Sequence, residues 1–532
     1  MTRRILLLGV AVLLVAFIGV PLLLLAGGVG DLALALDERD AIVNTVILAV
    51  GASAVAVVGG LPVGWVAARR RLPRALESAI LLPYAVPPYV TTVAWIVLAN
   101  PTNGVLTRWF PVNVYTLGGM IGVLGLHLSP LVAIAARDAL GRIDPALEEA
   151  ARVSGAGPIR TFVAVTLPLA APGIAAAAAF VASSAAASFG VPYLLASSAA
   201  KPIPVLTLRI FRALELSPVG GRPLALALSL VLLVVGVALP ALLSVLQGRH
   251  GYASARLARP RPAPSASPAL LALVLAWLGV AVLLPIGTIA LTSFAAAFGH
   301  FDAFTSDHWV AVLTEPRSRE ALRRSATLAA GAATAAVAVG TLLATVSERT
   351  PSRPISALVA LARAPWAVPG SVFALGFLLA FSQEVRFIFA DRATFVIALA
   401  NTPWILGIAY ATKSLAVPMD GVSAAVRTVD RSMEEAARIA GAGWARTQLS
   451  VVLPLLRPAL VAAWVLVFAG SFCEVSMSVL LRGPGTEVLG TRLFELLSYG
   501  SPQEASVLAM IVVLAVLVGG PVLSGRPRWA SS

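Results

Sequence analysis

The chain has 532 residues, 59% of them hydrophobic and 12% charged, with a mean hydropathy of +0.91. That balance excludes a string of soluble domains and points to a polytopic membrane protein, because a helix needs about 20 mostly apolar residues to cross a hydrocarbon core of about 30 Å. The formal net charge of +14 does not describe a nucleic-acid-binding face, since the basic residues sit in short loops between apolar runs.

Arg3 and Arg4 precede an apolar run over 5–27 that has the charge and core of a secretory leader. The run is long enough to span and lacks a small-x-small cleavage site before Asp31, so it reads as a retained first helix. Further spans are predicted at 41–68, 77–99, 117–137, 171–195 and 223–247, then at 268–294, 322–346, 355–382, 394–413, 457–481 and 504–524. Open sheets would leave edge groups unsatisfied in lipid, and the runs are too long and uniform for barrel strands. The expected fold class is therefore an all-α polytopic membrane protein with about twelve transmembrane helices in two repeated six-helix halves.

Between the halves, RHGYASARLARPRPAPSASP from Arg249 to Pro268 breaks the apolar pattern and reads as a cytoplasmic linker. The expected division is 1–248, a linker over 249–267, and 268–532. Arg69, Arg70, Arg71 and Arg74, then Arg249, Arg256, Arg259 and Arg261, then Arg349 and Arg353, then Arg526 and Arg528 mark one side by the positive-inside rule. Both termini are expected on that cytoplasmic side.

The second half echoes the first. LPYAVPPYV from Leu82 resembles APWAVPGSV from Ala364, and Pro83, Pro87, Pro365 and Pro369 should weaken or kink the ends of the third and ninth helices. EEAARVSGAGPIRTFVAVTLPLAAP from Glu148 to Pro172 recurs as EEAARIAGAGWARTQLSVVLPLLRP from Glu434 to Pro458. Asp144-Pro145 resembles a helix start, Ser432 and Glu435 fit a capping box, and the glycines at 155, 157, 441 and 443 permit a sharp turn. Each loop is expected to be a helix, a glycine turn and a second helix closed by Leu-Pro before the next span.

This repeated spacing resembles the EAA loop of ABC-transporter permeases, the membrane subunits of binding-protein-dependent importers. The resemblance implies that Glu149, Ala150, Ala151 and Gly155, and likewise Glu435, Ala436, Ala437 and Gly441, belong to coupling helices that dock on ATPase subunits. Arg152, Arg160, Arg438 and Arg446 would add charges facing acidic groups on that partner. It further implies an inner-membrane permease that binds two copies of an ABC ATPase and a periplasmic or lipid-anchored solute-binding protein, amid membrane lipids and without nucleic acid. SFGVPYLLASSAAKPIPVLTLRIF and the stretch following Glu474 look like the fused permeases of the ferric-iron importer class, whose relatives move thiamine, phosphonates, polyamines or sulfate. The most specific expectation is ferric iron as substrate. An ion-gradient-driven secondary transporter would also explain twelve spans and duplication, but it leaves the twin loops unexplained.

No catalytic residue, bound cofactor or metal site is expected on the chain. A P-loop needs Gly-Lys-Ser/Thr, and the two lysines, Lys201 and Lys413, follow Ala200 and Thr412. ATP would be used by the partner ATPase. His127, His250, His300 and His308 are scattered, and the single cysteine, Cys473, allows no intrachain disulfide. Polar groups inside spans are costly, so Glu474 in the eleventh span and Ser188 at the equivalent place in the fifth are the candidate translocation path. Helix packing, with Glu474 hydrogen-bonded to a neighbour, is the alternative; for Ser183 and Ser184 small-residue helix contact is the favoured role.

Overall fold

In lipid an apolar run has only its own backbone to hydrogen-bond with, and these runs fold as helices. The computed structural model describes residues 2–80, 86–217, 219–248, 265–382, 385–389, 393–397 and 399–523. Most of the expected linker lies outside them, as do Pro83, Arg256, Arg526 and Arg528. Six helical runs are long and apolar enough to cross a bilayer, and the bent pair Arg353–Ala367 and Gly370–Phe381 makes a seventh. The first run, Ile5–Arg69, has 65 residues, on the order of 100 Å as helix, and so holds two crossings joined by a 3-10 stretch at Ala26–Glu38. Apolar helices at Pro88–Ala99, Arg222–Gly248, Pro403–Lys413 with Ala416–Thr428, and Pro502–Leu523 bring the set to about twelve.

Equivalent elements recur in the two repeats. Pro158–Ala186 and Trp444–Phe472 are both continuous helices of 29 residues. Leu-Pro therefore does not close a separate helix, as the sequence suggested. The chain passes through a π turn at Phe162–Thr166, and again at Gln448–Val452, just before Leu167-Pro168 and Leu453-Pro454. One wider turn lets the helix carry a proline without a clash against the preceding carbonyls. The first and seventh spans use the same device, with π turns at Val15–Gly19 and Gly279–Leu283 ahead of Pro21 and Pro285.

Four spans depart from their predicted form. The tenth was expected over 394–413, but Ala393–Ile397 pairs antiparallel with Val385–Phe389 as a hairpin. The β-branched and aromatic residues of TFVI suit a strand, and the helix begins at Pro403, whose ring favours a first turn. The fifth and eleventh spans break after Ala186 and Phe472, and short helices Gly190–Ala196 and Ser476–Leu481 follow. The ninth bends by 115° between Ala367 and Gly370, where Pro369 starts the new helix.

The repeats are interlocked. Val10, Leu14 and Ile18 of the first span pack with Ala333, Leu343, Ala362 and Met419 of the second repeat. Val274, Trp277 and Val282 of the seventh pack with Val63, Val66 and Ala133 of the first, and Trp277 Nε1 donates to Ser129 Oγ at 3.2 Å. Arg39–Arg69 and Leu117–Gly141 approach closely at Gly60 and Gly64, where an added Cβ would overlap the carbonyls of Ser129 and Ala133. Small residues four apart are what allow such backbone contact in lipid. Gly60→Leu should therefore push the pair apart and cost about 1–3 kcal/mol. A thermal melt of purified protein in detergent is expected to fall for this variant; an unchanged melt would mean that the close approach does not hold.

Candidate functional site

Each Glu-Glu loop begins with an aspartate that accepts a backbone amide. Asp144 Oδ1 takes the Ala146 N–H at 2.9 Å, and Asp430 Oδ1 takes the Ser432 N–H at 2.9 Å. The expected capping box of Ser432 and Glu435 is thus absent: Asp430 is the cap, and Ser432 lies inside the helix. The Ser432 amide and hydroxyl hold the Asp430 carboxyl below its ordinary range.

The helices Pro145–Val153 and Arg431–Ile439 end identically. Ala156 N–H reaches Ala151 O at 3.0 Å and Gly155 N–H reaches Arg152 O at 2.9 Å; Ala442 to Ala437 and Gly441 to Arg438 repeat the pair, both at 2.9 Å. This Schellman closure needs a left-handed residue, supplied by Gly155 at φ +85° and Gly441 at φ +83°. Any other residue there costs about 1–2 kcal/mol. Glu149, Ala150, Glu435 and Ala436 are exposed, while Ala151 and Ala437 are half-buried. Beside them Val153 and Ile439, at equivalent positions, are each 90% exposed.

The first glutamate of each Glu-Glu pair carries no mark in the local sequence that sets it apart from the second. Glu148 Oε1 receives Arg69 Nη2 at 2.5 Å and Thr166 Oγ1 at 2.9 Å. Glu434 Oε1 receives Arg349 Nε at 2.7 Å, and Arg349 also donates to Val429 O at 2.9 Å. One glutamate of each dipeptide thus faces the last residue of a long membrane helix while its neighbour faces outward. The doubled glutamate and an arginine ending each preceding span were the available signals.

Glu474 lies in the break of the eleventh span rather than within a helix. Its carboxylate accepts the Met477 N–H at 2.9 and 3.0 Å and the Ser478 N–H at 3.0 Å, capping the helix Ser476–Leu481. Ser478 Oγ lies 3.0 Å from the same carboxylate and 2.6 Å from Tyr410 Oη. Lys413 works at the opposite kind of helix end, donating to Pro365 O at 2.6 Å, which also takes the Val368 N–H at 3.2 Å, and to Val368 O, both at the bend in the ninth span. Tyr89, buried beside this group, has no hydrogen-bond partner for its hydroxyl.

Ser188 occupies the equivalent break in the first repeat, where its carbonyl accepts Thr207 Oγ1 at 2.9 Å. No hydrogen bond joins Ser188 to Glu474 among the described residues. The residues after them, Phe189 and Val475, share one apolar cluster with Tyr89, Phe211 and Phe494 at the junction of the repeats. Ser183 donates to Gly236 O at 2.9 Å, in keeping with the helix-contact role expected of it. Among the described residues no group of three His, Cys, Asp or Glu side chains could hold a metal ion.

Removing the Glu474 carboxylate would strand two amides in an apolar setting, at a cost of about 1–3 kcal/mol. Glu474→Ala should lower the thermal midpoint in detergent, and Glu474→Gln, which keeps one acceptor oxygen, should lower it less. Equal melts for the two variants and the parent would show that the carboxylate does not support the break.

The sequence profile described as binding-protein-dependent transport system inner membrane component matches residues 60–250 and again 336–525, well over half of the chain. The putrescine transport system permease protein PotI of Escherichia coli (strain K12) is 30% identical over 212 residues, 39% of this chain and 72% of its own. The spermidine/putrescine transport system permease protein PotC of the same organism is 27% identical, over 44% of this chain and 85% of its own. The molybdate/tungstate transport system permease protein WtpB of Thermococcus kodakarensis is 28% identical, over 42% and 90%. A chain in the crystal structure of a bacterial alginate ABC transporter in complex with alginate pentasaccharide-bound periplasmic protein is 17% identical over 47% of this chain and 91% of its own, with a TM-score of 0.38. One profile thus matches twice, in the segments that repeat each other in sequence and in fold, and the chain belongs to the family of binding-protein-dependent transport system inner membrane components, the multi-pass permeases of ABC importers.

Proposed function

We propose that this permease supplies both halves of one translocation path, and that each Glu-Glu helix docks one ATPase subunit. The observation that carries this reading is the pair of identical knobs. Each is closed by a left-handed glycine and carries a 90% exposed aliphatic residue, Val153 or Ile439, among charged neighbours. An aliphatic side chain held out from a charged helix is stabilised when a partner covers it. Glu149 and Glu435 face the same side, Ala150, Ala151, Ala436 and Ala437 allow close approach, and Arg152, Arg160, Arg438 and Arg446 offer charge to an acidic rim. A secondary transporter has no use for two such knobs.

In this reading the arginine-rich face with both knobs is cytoplasmic, together with both termini, and a solute-binding protein delivers substrate to the opposite face. The path runs past the helix breaks at Ser188 and Glu474, beside the buried Tyr89 hydroxyl, which has no hydrogen-bond partner of its own. Polyamine is the substrate class favoured here over ferric iron, because two of the relatives named above are polyamine permeases. The carboxylate of Glu474 suits a cationic solute.

Val153→Asp together with Ile439→Asp should leave the spans inserted at normal levels and cut co-purification of the ATPase by at least about ten-fold, the loss expected for burying an unpaired charge at a contact. Undiminished co-purification would refute docking at the knobs. Val153→Cys in a Cys473→Ala background should react with a membrane-impermeant thiol reagent only from the cytoplasmic side; reaction in intact cells would reverse the orientation.

A further inference from the structure

Both long helices Arg39–Arg69 and Pro316–Arg349 are tied at their two ends by ion pairs, and the four pairs form two equivalent sets. At the knob end Arg69 holds Glu148 at 2.5 Å and Arg349 holds Glu434 at 2.7 Å. At the far end Glu38, just before the first helix, meets Arg209 Nε at 2.8 Å, and Glu315, just before the second, meets Arg492 Nη2 at 2.5 Å. Arg209 and Arg492 lie on the equivalent helices Leu206–Leu216 and Leu489–Tyr499, which follow the breaks at Ser188 and Glu474.

These contacts persist although the repeats differ in length. Arg69 and Glu148 are 79 residues apart, Arg349 and Glu434 are 85; the far pairs are 171 and 177 apart. The second repeat holds six more residues between each pair of partners, and the contacts are the same. At the knob end all four side chains are 5–16% exposed, so the pairs are poorly screened and directional. A helix of 31 or 34 residues is about 46–51 Å long and stiff, enough to carry a displacement from one membrane face to the other.

We infer that Arg69 and Arg349 are the positioning residues through which each knob moves its long helix, and that the far pairs pass this movement to Leu206–Leu216 and Leu489–Tyr499. The inference rests on the knobs being the ATPase docking elements. Movement of the knobs on ATP binding pulls the carboxylates of Glu148 and Glu434, and through them the arginines at the helix ends. The far arginines then carry the short helices beside the breaks.

Leu216 and Tyr499 occupy equivalent places at the ends of those short helices and are 83% and 82% exposed. Spin labels on Leu216→Cys and Tyr499→Cys, in a Cys473→Ala background and in the full complex with its ATPase, report the far-end separation by pulsed electron resonance. The parent complex should show a shift of the distance distribution between the nucleotide-free and ATP–vanadate-trapped states. Arg69→Ala with Arg349→Ala should keep the ATPase bound and the vanadate trapped but lose most of that shift. The exchanged pair Arg349→Glu with Glu434→Arg, made in the background of intact Arg69, should recover it relative to Arg349→Glu alone.

An undiminished shift in the double alanine variant overturns the inference, as does the absence of any shift in the parent complex. Loss of ATPase binding in the alanine variant also overturns it, by reducing the arginines to supports of knob shape. Failure of the docking reading itself is distinguishable: the Val153→Asp and Ile439→Asp variant would then still bind the ATPase.

Discussion

A helix that breaks inside a bilayer releases amides and carbonyls that lipid cannot satisfy, and at the breaks in this permease side chains take over part of those bonds. Glu474 collects the amides at the start of Ser476–Leu481, and Lys413 donates to two carbonyls at the 115° bend of the ninth span. Two charged groups that would be costly as bare ions in hydrocarbon are held by the helix ends they serve. The first repeat manages its equivalent break without charge, with Thr207 donating to the Ser188 carbonyl. Among the described residues, the break after Phe472 is thus served by a carboxylate and the break after Ala186 by a neutral hydroxyl.

Around that centre the helices are held by shape. Gly60 and Gly64 let two spans touch backbone to backbone, while the first and seventh spans cross to pack on the opposite repeat. The crossing makes the two repeats one mechanical body. It also gives each long helix a fixed bed against which an end-on pull from a knob would act, with Arg69 and Arg349 as the points of attachment.

Much of this was legible in the sequence, and the misses have physical causes. Hydropathy places the spans because lipid rewards length and uniformity, and the repeated loop was visible because glycine alone meets φ values of +85° and +83° cheaply. Hydropathy is silent on breaks, so the eleventh span was drawn straight through Glu474, whose carboxylate is what permits the interruption. The second strand of the hairpin, Ala393–Ile397, reads as the start of the tenth span because β-branched and aromatic residues are as apolar as helix formers. Asp430 rather than Ser432 caps the second knob, two residues earlier than a capping-box pattern suggested. Glu148 and Glu434 were passed over because their partners lie 79 and 85 residues away, beyond any local pattern.

The central claim is that one chain carries both docking knobs and both halves of a single path. Native mass spectrometry of the permease co-purified with its ATPase in detergent tests it most directly. The account predicts an assembly of one 54.7 kDa permease chain with two ATPase subunits. An assembly of two permease chains with two ATPase subunits would contradict it, since each chain would then use only one of its knobs.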